Sequence, residues 1–384
     1  MSKIASNIKK YGQLKAELLV EGINYGDDFI EEYSKMDNFL EKRRAYGNSD
    51  ERIFAKEIKV PQEIILPEGI VVAVNQRNNT KWNIVYDNGT FYITNNIETI
   101  PIEFPRRPKF YDSKMDDGTS VSRIVTLYGN ATLGVFSPGH CYFWAKGDEC
   151  KFCSLQTTRN TQADHEMFIK PERAKEAIRI ALETEKERVH HFLLNGGTIS
   201  NYDHGFSRHL DVMEAVSELN MPGRIEKHLI SMPPKDFSLF ERLAKTKATI
   251  AMSIEIYNKE LFEEICPGKS KDYGRERFFE AFKAAVDYLG KGNVYCGFVG
   301  GLEPVESLAE GMYELGEMGV VPAVNIFHND PGSQFANRKR PTLEEVRKIG
   351  YHMSIIYDKY NFKPFITNTG RNSLDTEAYL KCFL

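Results

Sequence analysis

The sequence predicts an α/β protein, a partial (β/α)6 TIM-like barrel preceded by a small N-terminal α+β domain. From about residue 120, apolar strand-like runs alternate six times with amphipathic helix-like runs, the pattern of a parallel sheet with right-handed crossovers. Before that point two helical segments precede short β-branched runs. We therefore predict an accessory domain at 1–115, the barrel at 116–360 and a C-terminal tail at 361–384.

The N-terminal part begins with apolar residues at helical spacing, from Ile8 to Leu19 and again from Phe29 to Leu40. Three runs rich in β-branched and aromatic residues follow. These runs predict strands at 69–74, 81–87 and 90–94. Asp87-Asn88-Gly89 is a strong tight-turn signal between the last two strands. The proline-bearing stretch at 100–110 predicts a linker to the barrel.

The alternating part supplies six strands, each followed by a helix. The strands are predicted at 133–138, 191–195, 224–231, 248–255, 293–299 and 321–327. The helices are predicted at 172–186, 207–219, 236–244, 274–289, 304–317 and 342–358. Because chemistry in such folds sits at the carboxyl ends of the strands, functional side chains are expected in the loops that follow them. The tail has weak periodicity and predicts no element.

Composition narrows the classes of function. The 384 residues are 41% apolar and 27% charged, which is ordinary for a soluble globular protein. The net charge of −4 argues against a general nucleic-acid binder. The sequence has no apolar run of the roughly 18 residues that suggest a transmembrane helix. The charged N-terminus also lacks the apolar core of a signal peptide. We therefore expect no membrane association and a cytoplasmic location.

Three of the six cysteines, Cys141, Cys150 and Cys153, follow the first predicted barrel strand within thirteen residues. Such clustering in a reducing compartment indicates a metal. Three thiolates can ligate three irons of a [4Fe–4S] cluster, which leaves the fourth iron open to a small molecule. The alternatives are a zinc site with His140 as the fourth ligand, or three unrelated thiols.

The segment SPGHCYFWAKGDECKFCSLQ resembles the cluster loop of the radical S-adenosylmethionine (SAM) superfamily, in which an aromatic residue, here Phe152, precedes the third cysteine. The first gap of eight residues departs from the usual three. The resemblance covers about 120–345. It is closest to the biotin-synthase-like branch, and within it to a bacterial group with a long first gap that is often encoded near a nitrilase.

The resemblance implies a [4Fe–4S] cluster that reductively cleaves SAM to a 5′-deoxyadenosyl radical. That radical would abstract hydrogen from a small-molecule substrate. An electron donor such as flavodoxin or ferredoxin is then implied as a partner. The protein chain in such an enzyme positions the cofactor and the substrate and excludes competing reactions.

The resemblance also assigns residues at later strand ends to SAM. Gly196, Gly197 and Thr198 stand where the superfamily has a Gly-Gly-Glu-type motif, so here the backbone and a hydroxyl would bind the SAM amino group. Ser253 and Glu255 share one strand face and take the place of residues that contact the ribose or methionine part. The other implied SAM contacts are Phe152, Lys269, Gly300, Gly301, Asn325 and Ile326.

Several of these residues also have plain structural interpretations. The glycine pair could form an ordinary strand-to-helix turn, and Glu255 could face outward toward a helix lysine. Lys269, Lys271 and Arg275 compete for the SAM carboxylate, with Lys269 favoured, or they form a solvated basic run. The polar residues 328–330 either contact substrate or cap their loop.

Three functions therefore stay open. The first is a radical SAM enzyme acting on a small molecule, and the second is a radical SAM enzyme that modifies a peptide or protein recognised by the N-terminal domain. The third is a zinc-stabilised barrel that binds a ligand without redox chemistry. Cys266, Cys296 and Cys382 are widely spaced and predict no second cluster. The aromatic residues 142–144 are candidates for a lid.

Overall fold

The computed structural model describes residues 3–40, 59–160, 166–219, 221–223, 225–364 and 370–384. Within these residues the strands form a seven-stranded sheet, a four-stranded sheet and a two-stranded hairpin. The prediction of a mixed α/β protein with a parallel sheet is confirmed. No helix of the described part is long and apolar enough to cross a membrane.

Among the residues that the structure describes, the N-terminal part has two helices and six strands. They are α1 (Lys3–Glu21), β1 (Asn24–Tyr25), α2 (Asp27–Ser34), β2 (Glu63–Leu66), β3 (Ile70–Ala73), β4 (Asn83–Asp87), β5 (Thr90–Thr94) and β6 (Thr99–Ile102). The smaller sheet has the order β1-β4-β5-β6, and β2 pairs with β3. The two predicted helices are present, but α2 ends at Ser34 and not at Leu40.

The predicted linker at 100–110 was wrong at its beginning, where β6 pairs antiparallel with β5. Ile100 and Ile102 are buried while Thr99 and Pro101 are exposed, which is the alternation of a half-buried strand. Proline is accepted here because β6 is an edge strand of its sheet, where a missing N–H removes no ladder bond. The strand was not predicted because prolines are rare in strands and suggested a linker.

The main sheet has the strand order β13-β12-β11-β10-β9-β8-β7. Its strands are β7 (Val125–Tyr128), β8 (Thr132–Phe136), β9 (His191–Asn195), β10 (Glu226–Ile230), β11 (Thr249–Ala251), β12 (Val294–Gly300) and β13 (Val320–Ile326). Strands β8 to β13 are parallel and correspond to the six predicted strands. The antiparallel edge strand β7 was not predicted. Residue 224, where the third predicted strand began, lies outside the described residues.

Helices connect the strands of the main sheet and continue into the tail. They are α3 (Tyr142–Lys146), α4 (Leu155–Asn160), α5 (Pro171–Glu185), α6 (Tyr202–Ser217), α7 (Leu239–Lys245), α8 (Lys259–Ile265), α9 (Pro267–Asp272), α10 (Arg275–Leu289), α11 (Val305–Met318), α12 (Leu343–Tyr360) and α13 (Asp375–Tyr379). Their buried faces are apolar and pack against the sheet, as the periodicity predicts.

Strand β11 is shorter than predicted because the chain leaves the ladder after Ala251. Glu255 has a φ of +72°, a left-handed conformation that is uncommon outside glycine. Its backbone makes a single bridge to the next strand, accepting from the N–H of Val299 and donating to the carbonyl of Gly297. The turn at Glu255 carries its side chain to the cavity described below.

The tail, for which the sequence predicts no element, contacts both edges of the main sheet. Ser373 forms an antiparallel bridge with Asn325 of β13. The Arg371 guanidinium lies 4.4 Å above the ring centroid of Tyr128, at the other edge in β7. It also forms an ion pair of 2.7 Å with Glu63 of β2. The tail thus spans the gap that the sheet leaves between its two edge strands.

Candidate active site around three cysteines

A cavity of about 1050 Å3 lies against the main sheet, the cysteine loop and the tail. The predicted site residues that line it lie at or after the ends of four strands, β8, β9, β11 and β13. They are Cys141, Cys150, Phe152, Cys153, Gly196, Gly197, Thr198, Ser253, Glu255, Lys269, Asn325 and Ile326. The structure therefore brings residues together that are almost two hundred positions apart in the sequence.

Gly300 and Gly301 do not line the cavity. An added Cβ would lie 2.9 Å from Val324 at Gly300 and 2.6 Å from Pro341 at Gly301. Gly301 has a φ of +98°, which an L side chain rarely adopts. These glycines allow the end of β12 to pack closely against its neighbours.

The glycine pair after β9 allows the cysteine loop to approach the strand end. An added Cβ on Gly196 would lie 2.2 Å from the carbonyl oxygen of Ser137, and one on Gly197 would lie 1.8 Å from that of His140. Both distances are far below van der Waals contact. The N–H of Gly197 donates to the carbonyl of Pro138 at 2.8 Å. The sequence suggested that these glycines bind a ligand. It did not show that the close approach of the cysteine loop itself requires glycine at both positions.

The other side of the cysteine loop rests on α9. An added Cβ on Gly268 would lie 2.4 Å from the Phe143 ring and 2.6 Å from the carbonyl oxygen of Asp148. The N–H of Gly268 donates to that same carbonyl, and the N–H of Lys151 donates to the carbonyl of Ile265. Phe143 is buried in this contact and therefore anchors the loop, whereas the sequence made it a candidate for a lid.

The three thiols are partly exposed, and they share one cavity. A hydrogen bond with the buried Cys266 thiol raises the pKa of Cys150 well above its ordinary value, and burial of Cys150 raises it further. Burial and the neighbouring Cys150 raise the pKa of Cys153 to about 12. Both groups are therefore protonated thiols at neutral pH, and a metal would have to displace their protons on binding.

The described residues show no grouped set of ligands for a single metal ion. In the described part of the chain, no three His, Cys, Asp or Glu side chains are grouped as ligands of one metal ion. His140, the fourth ligand of the zinc interpretation, does not line the cavity, and its ring packs edge-on against Phe168. An iron–sulfur cluster would take each thiolate on a separate iron.

Lys269 reaches the cavity as half of an ion pair. Its Nζ lies 2.7 Å from Glu255 Oε1 and donates to the carbonyl of Ser253 at 2.6 Å. Although burial opposes the charge, the Glu255 carboxylate raises the pKa of Lys269 above its ordinary value. The two other candidates for the SAM carboxylate have different partners. Lys271 pairs with Asp148, and Arg275 lies over the ring of Tyr257. Of the three, Lys269 alone lines the cavity, and its charge is already balanced.

Replacing Lys269 by Met should destabilise the protein by about 3–5 kcal/mol, because Glu255 would be left as an unpaired, largely buried charge. Adding Glu255→Gln should recover part of the loss. Lys271→Met is the control, since its pair with Asp148 is exposed and is worth about 1 kcal/mol or less. Urea unfolding of the three variants measures the difference. Equal losses for the two single variants would contradict the assignment of a buried pair.

Residues 328–330 divide between the two roles that the sequence left open. His328 and Asp330 line the cavity. Asn329 does not, since its amide donates to the carbonyls of Phe335 and Arg338 and caps the loop. Contact with substrate stays a prediction for the two outer residues, while the middle one caps its loop.

Sequence reasoning missed the polar residues deeper in the cavity. They are Gln62, Thr126, Tyr128, His228, Tyr295, Ser373 and Asp375. His228 is held by Thr249 at 2.6 Å, and burial lowers its pKa well below the usual value, so the ring is neutral. Residues of this kind could have been suggested by alternation along the strands, since 228, 230, 295, 297 and 299 point to one face. Gln62, Ser373 and Asp375 carry no such signal.

Asp375 should make the stability of the protein depend on pH. Burial raises the pKa of this carboxyl from 3.8 to about 7. The folded state therefore holds the proton more tightly than the unfolded state. Stability is highest below pH 4 for this group and falls by up to about 1.4 kcal/mol per pH unit between pH 4 and 7. Asp375→Asn should remove this part of the slope in unfolding measurements, and an unchanged slope would contradict it.

No protein-family model matches the sequence. The chain is 25% identical over 267 residues to bacteriochlorophyllide c C-7(1)-hydroxylase from Chlorobaculum limnaeum. The alignment covers 64% of this chain and 65% of that protein, less than two thirds of the relative's length.

Similar solved structures include three enzymes of low sequence identity. A radical SAM methyltransferase from Sphaerobacter thermophilus has a TM-score of 0.43 at 16% identity, covering 77% of this chain and 81% of its own. The [FeFe]-hydrogenase maturase HydG from Carboxydothermus hydrogenoformans has a TM-score of 0.42 at 19%, covering 60% and 52%. Methylornithine synthase (PylB) has a TM-score of 0.41 at 15%, covering 65% and 71%.

Proposed function

We propose that the chain holds a [4Fe–4S] cluster through Cys141, Cys150 and Cys153, binds SAM in the same cavity, and abstracts hydrogen from a small-molecule substrate. The observation that carries this proposal is the shared cavity, in which the three thiols face the Gly196–Thr198 turn. When bound, the cluster and SAM would supply one-electron cleavage of SAM and the 5′-deoxyadenosyl radical. An electron donor such as flavodoxin or ferredoxin belongs to the proposal, because that cleavage consumes an electron.

The size of the cavity supports a small substrate. Pockets of roughly 300–1,000 Å3 hold one drug-sized ligand. A cavity of about 1050 Å3 lies at the upper end of this range, so small molecules are the ligands that suit its volume. The tail covers the gap between the edge strands, so an extended peptide would have to displace it. Modification of a peptide or protein is therefore the second candidate function.

In this proposal the chain's own residues bind and orient the reactants. Phe152 offers an apolar ring to the adenine, and the Gly196–Thr198 backbone and hydroxyl meet the SAM amino group. Ser253 and the Glu255–Lys269 pair face the ribose and methionine parts. Asn325 and Ile326 close the adenine side.

The proposal also gives each part of the chain a task. The main sheet forms a partial (β/α)6 barrel, residues 1–115 act as an accessory domain and the tail at 361–384 closes the barrel. The relative from Chlorobaculum limnaeum supports the reaction class, since a hydroxylase replaces hydrogen on its substrate. Its tetrapyrrole substrate is that protein's own, and we propose no such substrate for this chain.

Anaerobic reconstitution with iron and sulfide tests the proposal. We expect a brown protein with about four irons per chain that forms 5′-deoxyadenosine from SAM after reduction with dithionite. Formation should rise above this background with a small-molecule extract of cells. A rise only with the protein fraction would favour the peptide candidate, and a colourless protein with one zinc would contradict both.

A further inference from the structure

The carboxyl group of Asp375 lies at the edge of the cavity, just after the segment of the tail that bridges to β13. Its Oδ1 accepts from the N–H of Val324 at 3.2 Å, which fixes the carboxyl beside this strand. Asp375 is partly exposed and lines the cavity. Its neighbours Leu374 and Thr376 are only 0% and 3% exposed. The accessible surface of this short stretch therefore belongs to Asp375.

Asp375 forms no ion pair with any lysine or arginine that the structure describes. Lys15 acts on it through space, but Lys15 is held in a buried ion pair of 2.9 Å with Glu377. Val324 and Ser373 each donate a hydrogen bond to the carboxyl, which leaves about two of the roughly four acceptor positions of a carboxylate open. A carboxylate that is withdrawn from water without a cation beside it is costly.

The two full cations that line the cavity in the described part of the chain already have partners. Lys269 is paired with Glu255, and Arg371 is paired with Glu63. A ligand with a negative group would therefore meet no open cation among these residues. A ligand with a positive group would find an open counter-charge at Asp375.

Small side chains leave room for such a ligand next to Asp375. Ala323 of β13 and Gly297 of β12 are paired in register, and both line the cavity. A Cβ added to Gly297 would collide with Ser253 Oγ, so Ser253 is the next side chain along this floor. Because neighbouring strands are about 4.8 Å apart, the floor extends about 10 Å from β13 to the chain that follows β11. It leads from Asp375 to the side of the cavity assigned to SAM.

We propose that Asp375 is the anchor for a positively charged amino group of the substrate, and that the substrate is a primary amine whose carbon chain lies over Ala323 and Gly297. The proposal rests on the proposed function for the identity of this ligand as the substrate. The ammonium group would supply the cation that the described residues do not place beside Asp375. The carboxylate would in turn compensate the desolvation of the ammonium group.

Benzylamine and benzyl alcohol test the charge requirement, because they share one carbon skeleton and differ in the terminal group. Titrations followed by saturation-transfer NMR on the full wild-type chain should show benzylamine binding at least tenfold tighter than benzyl alcohol. Crystals soaked with benzylamine should place its nitrogen against the Asp375 carboxylate. Equal affinities, or a nitrogen bound elsewhere in the cavity, would overturn the proposal. This comparison does not depend on the folding of a variant.

Asp375→Asn should remove the preference for benzylamine and leave the affinity for benzyl alcohol within twofold, because Asn keeps the shape and loses the charge. Glu149→Gln is the matched control. Glu149 also lines the cavity and has no lysine or arginine partner in the described chain, but it lies in the cysteine loop and accepts from Gln334. Loss of the preference in Glu149→Gln and not in Asp375→Asn would place the anchor in that loop and refute the proposal.

SAM carries an amino group of its own, so its binding is the second control. The affinity of the reconstituted enzyme for SAM should stay within twofold in Asp375→Asn. A tenfold loss would assign Asp375 to the cofactor and refute its role as a substrate anchor. The benzylamine measurements need no cluster, so their outcome is independent of whether 5′-deoxyadenosine forms.

Discussion

Cys150→Ala is expected to abolish cluster binding and 5′-deoxyadenosine formation together. Cys150 lies between the other two thiols in the loop and lines the same cavity wall. With two protein thiolates the cluster would lose one of its three anchors, and the open iron could no longer be held in place for SAM. Iron and sulfide analysis after anaerobic reconstitution, followed by quantification of 5′-deoxyadenosine, measures both losses.

Cys296→Ala is the matched control for that experiment. Cys296 is completely buried within β12 and does not line the cavity. Its removal should cost some stability as a small core truncation but leave the iron content unchanged. Cys266→Ala is the more demanding comparison, because this thiol contacts Cys150. Full iron content in Cys150→Ala with loss in Cys266→Ala would show that the ligands were assigned wrongly.

Gly197→Ala is expected to reduce cluster binding about as much as Cys150→Ala does. Its effect would come from a clash with the backbone of the cysteine loop. The new Cβ would lie 1.8 Å from the His140 carbonyl oxygen and 2.9 Å from the Cα of Cys141, both backbone atoms that no side-chain rotation can move away. The cysteine loop would have to leave the strand end. We expect a destabilisation above about 4 kcal/mol, which is exceptional for one methyl group, or failure to bind the cluster in the folded fraction.

Gly223→Ala serves as the comparison, because an added Cβ there meets nothing within 4 Å. It should be neutral or slightly stabilising, since alanine has fewer unfolded conformations to lose. Thermal unfolding of the apo protein compares the two variants without reference to activity. A Gly197→Ala protein as stable as Gly223→Ala would mean that the loop does not rest on this turn.

Much of the main sheet was predictable because its strands and helices depend on patterns of apolar residues within short stretches of sequence. Apolar runs and amphipathic helices gave all six parallel strands, and the cysteine spacing located the loop that follows the first of them. The glycines at 196 and 197 were also singled out, as residues that bind SAM. Their reason was not visible, because it depends on which backbone segment approaches them, and periodicity says nothing about that.

The tail was not predictable because long-range charge pairs hold it in place. Lys15 and Glu377 form an ion pair of 2.9 Å in which both side chains are almost completely buried. No helical or strand period connects Arg371 with Glu63. A buried pair of this kind specifies a position without leaving a pattern in either segment. The left-handed backbone of Glu255 was missed for the same reason, since its neighbours in sequence are ordinary strand residues.

The long reach of the tail has a consequence for the order in which the molecule assembles. Arg371 and Glu63 are 308 positions apart, and Lys15 and Glu377 are 362 apart. Contacts of such separation cost about 1 kcal/mol more loop-closure entropy than contacts over some 125 residues, which favours the formation of the shorter-range contacts first. The cysteine loop instead depends on segments less than 130 residues away, at Gly197 and Gly268. We therefore expect a stage in folding at which the cluster loop is already seated while the cavity is still open, and iron would have its easiest access then.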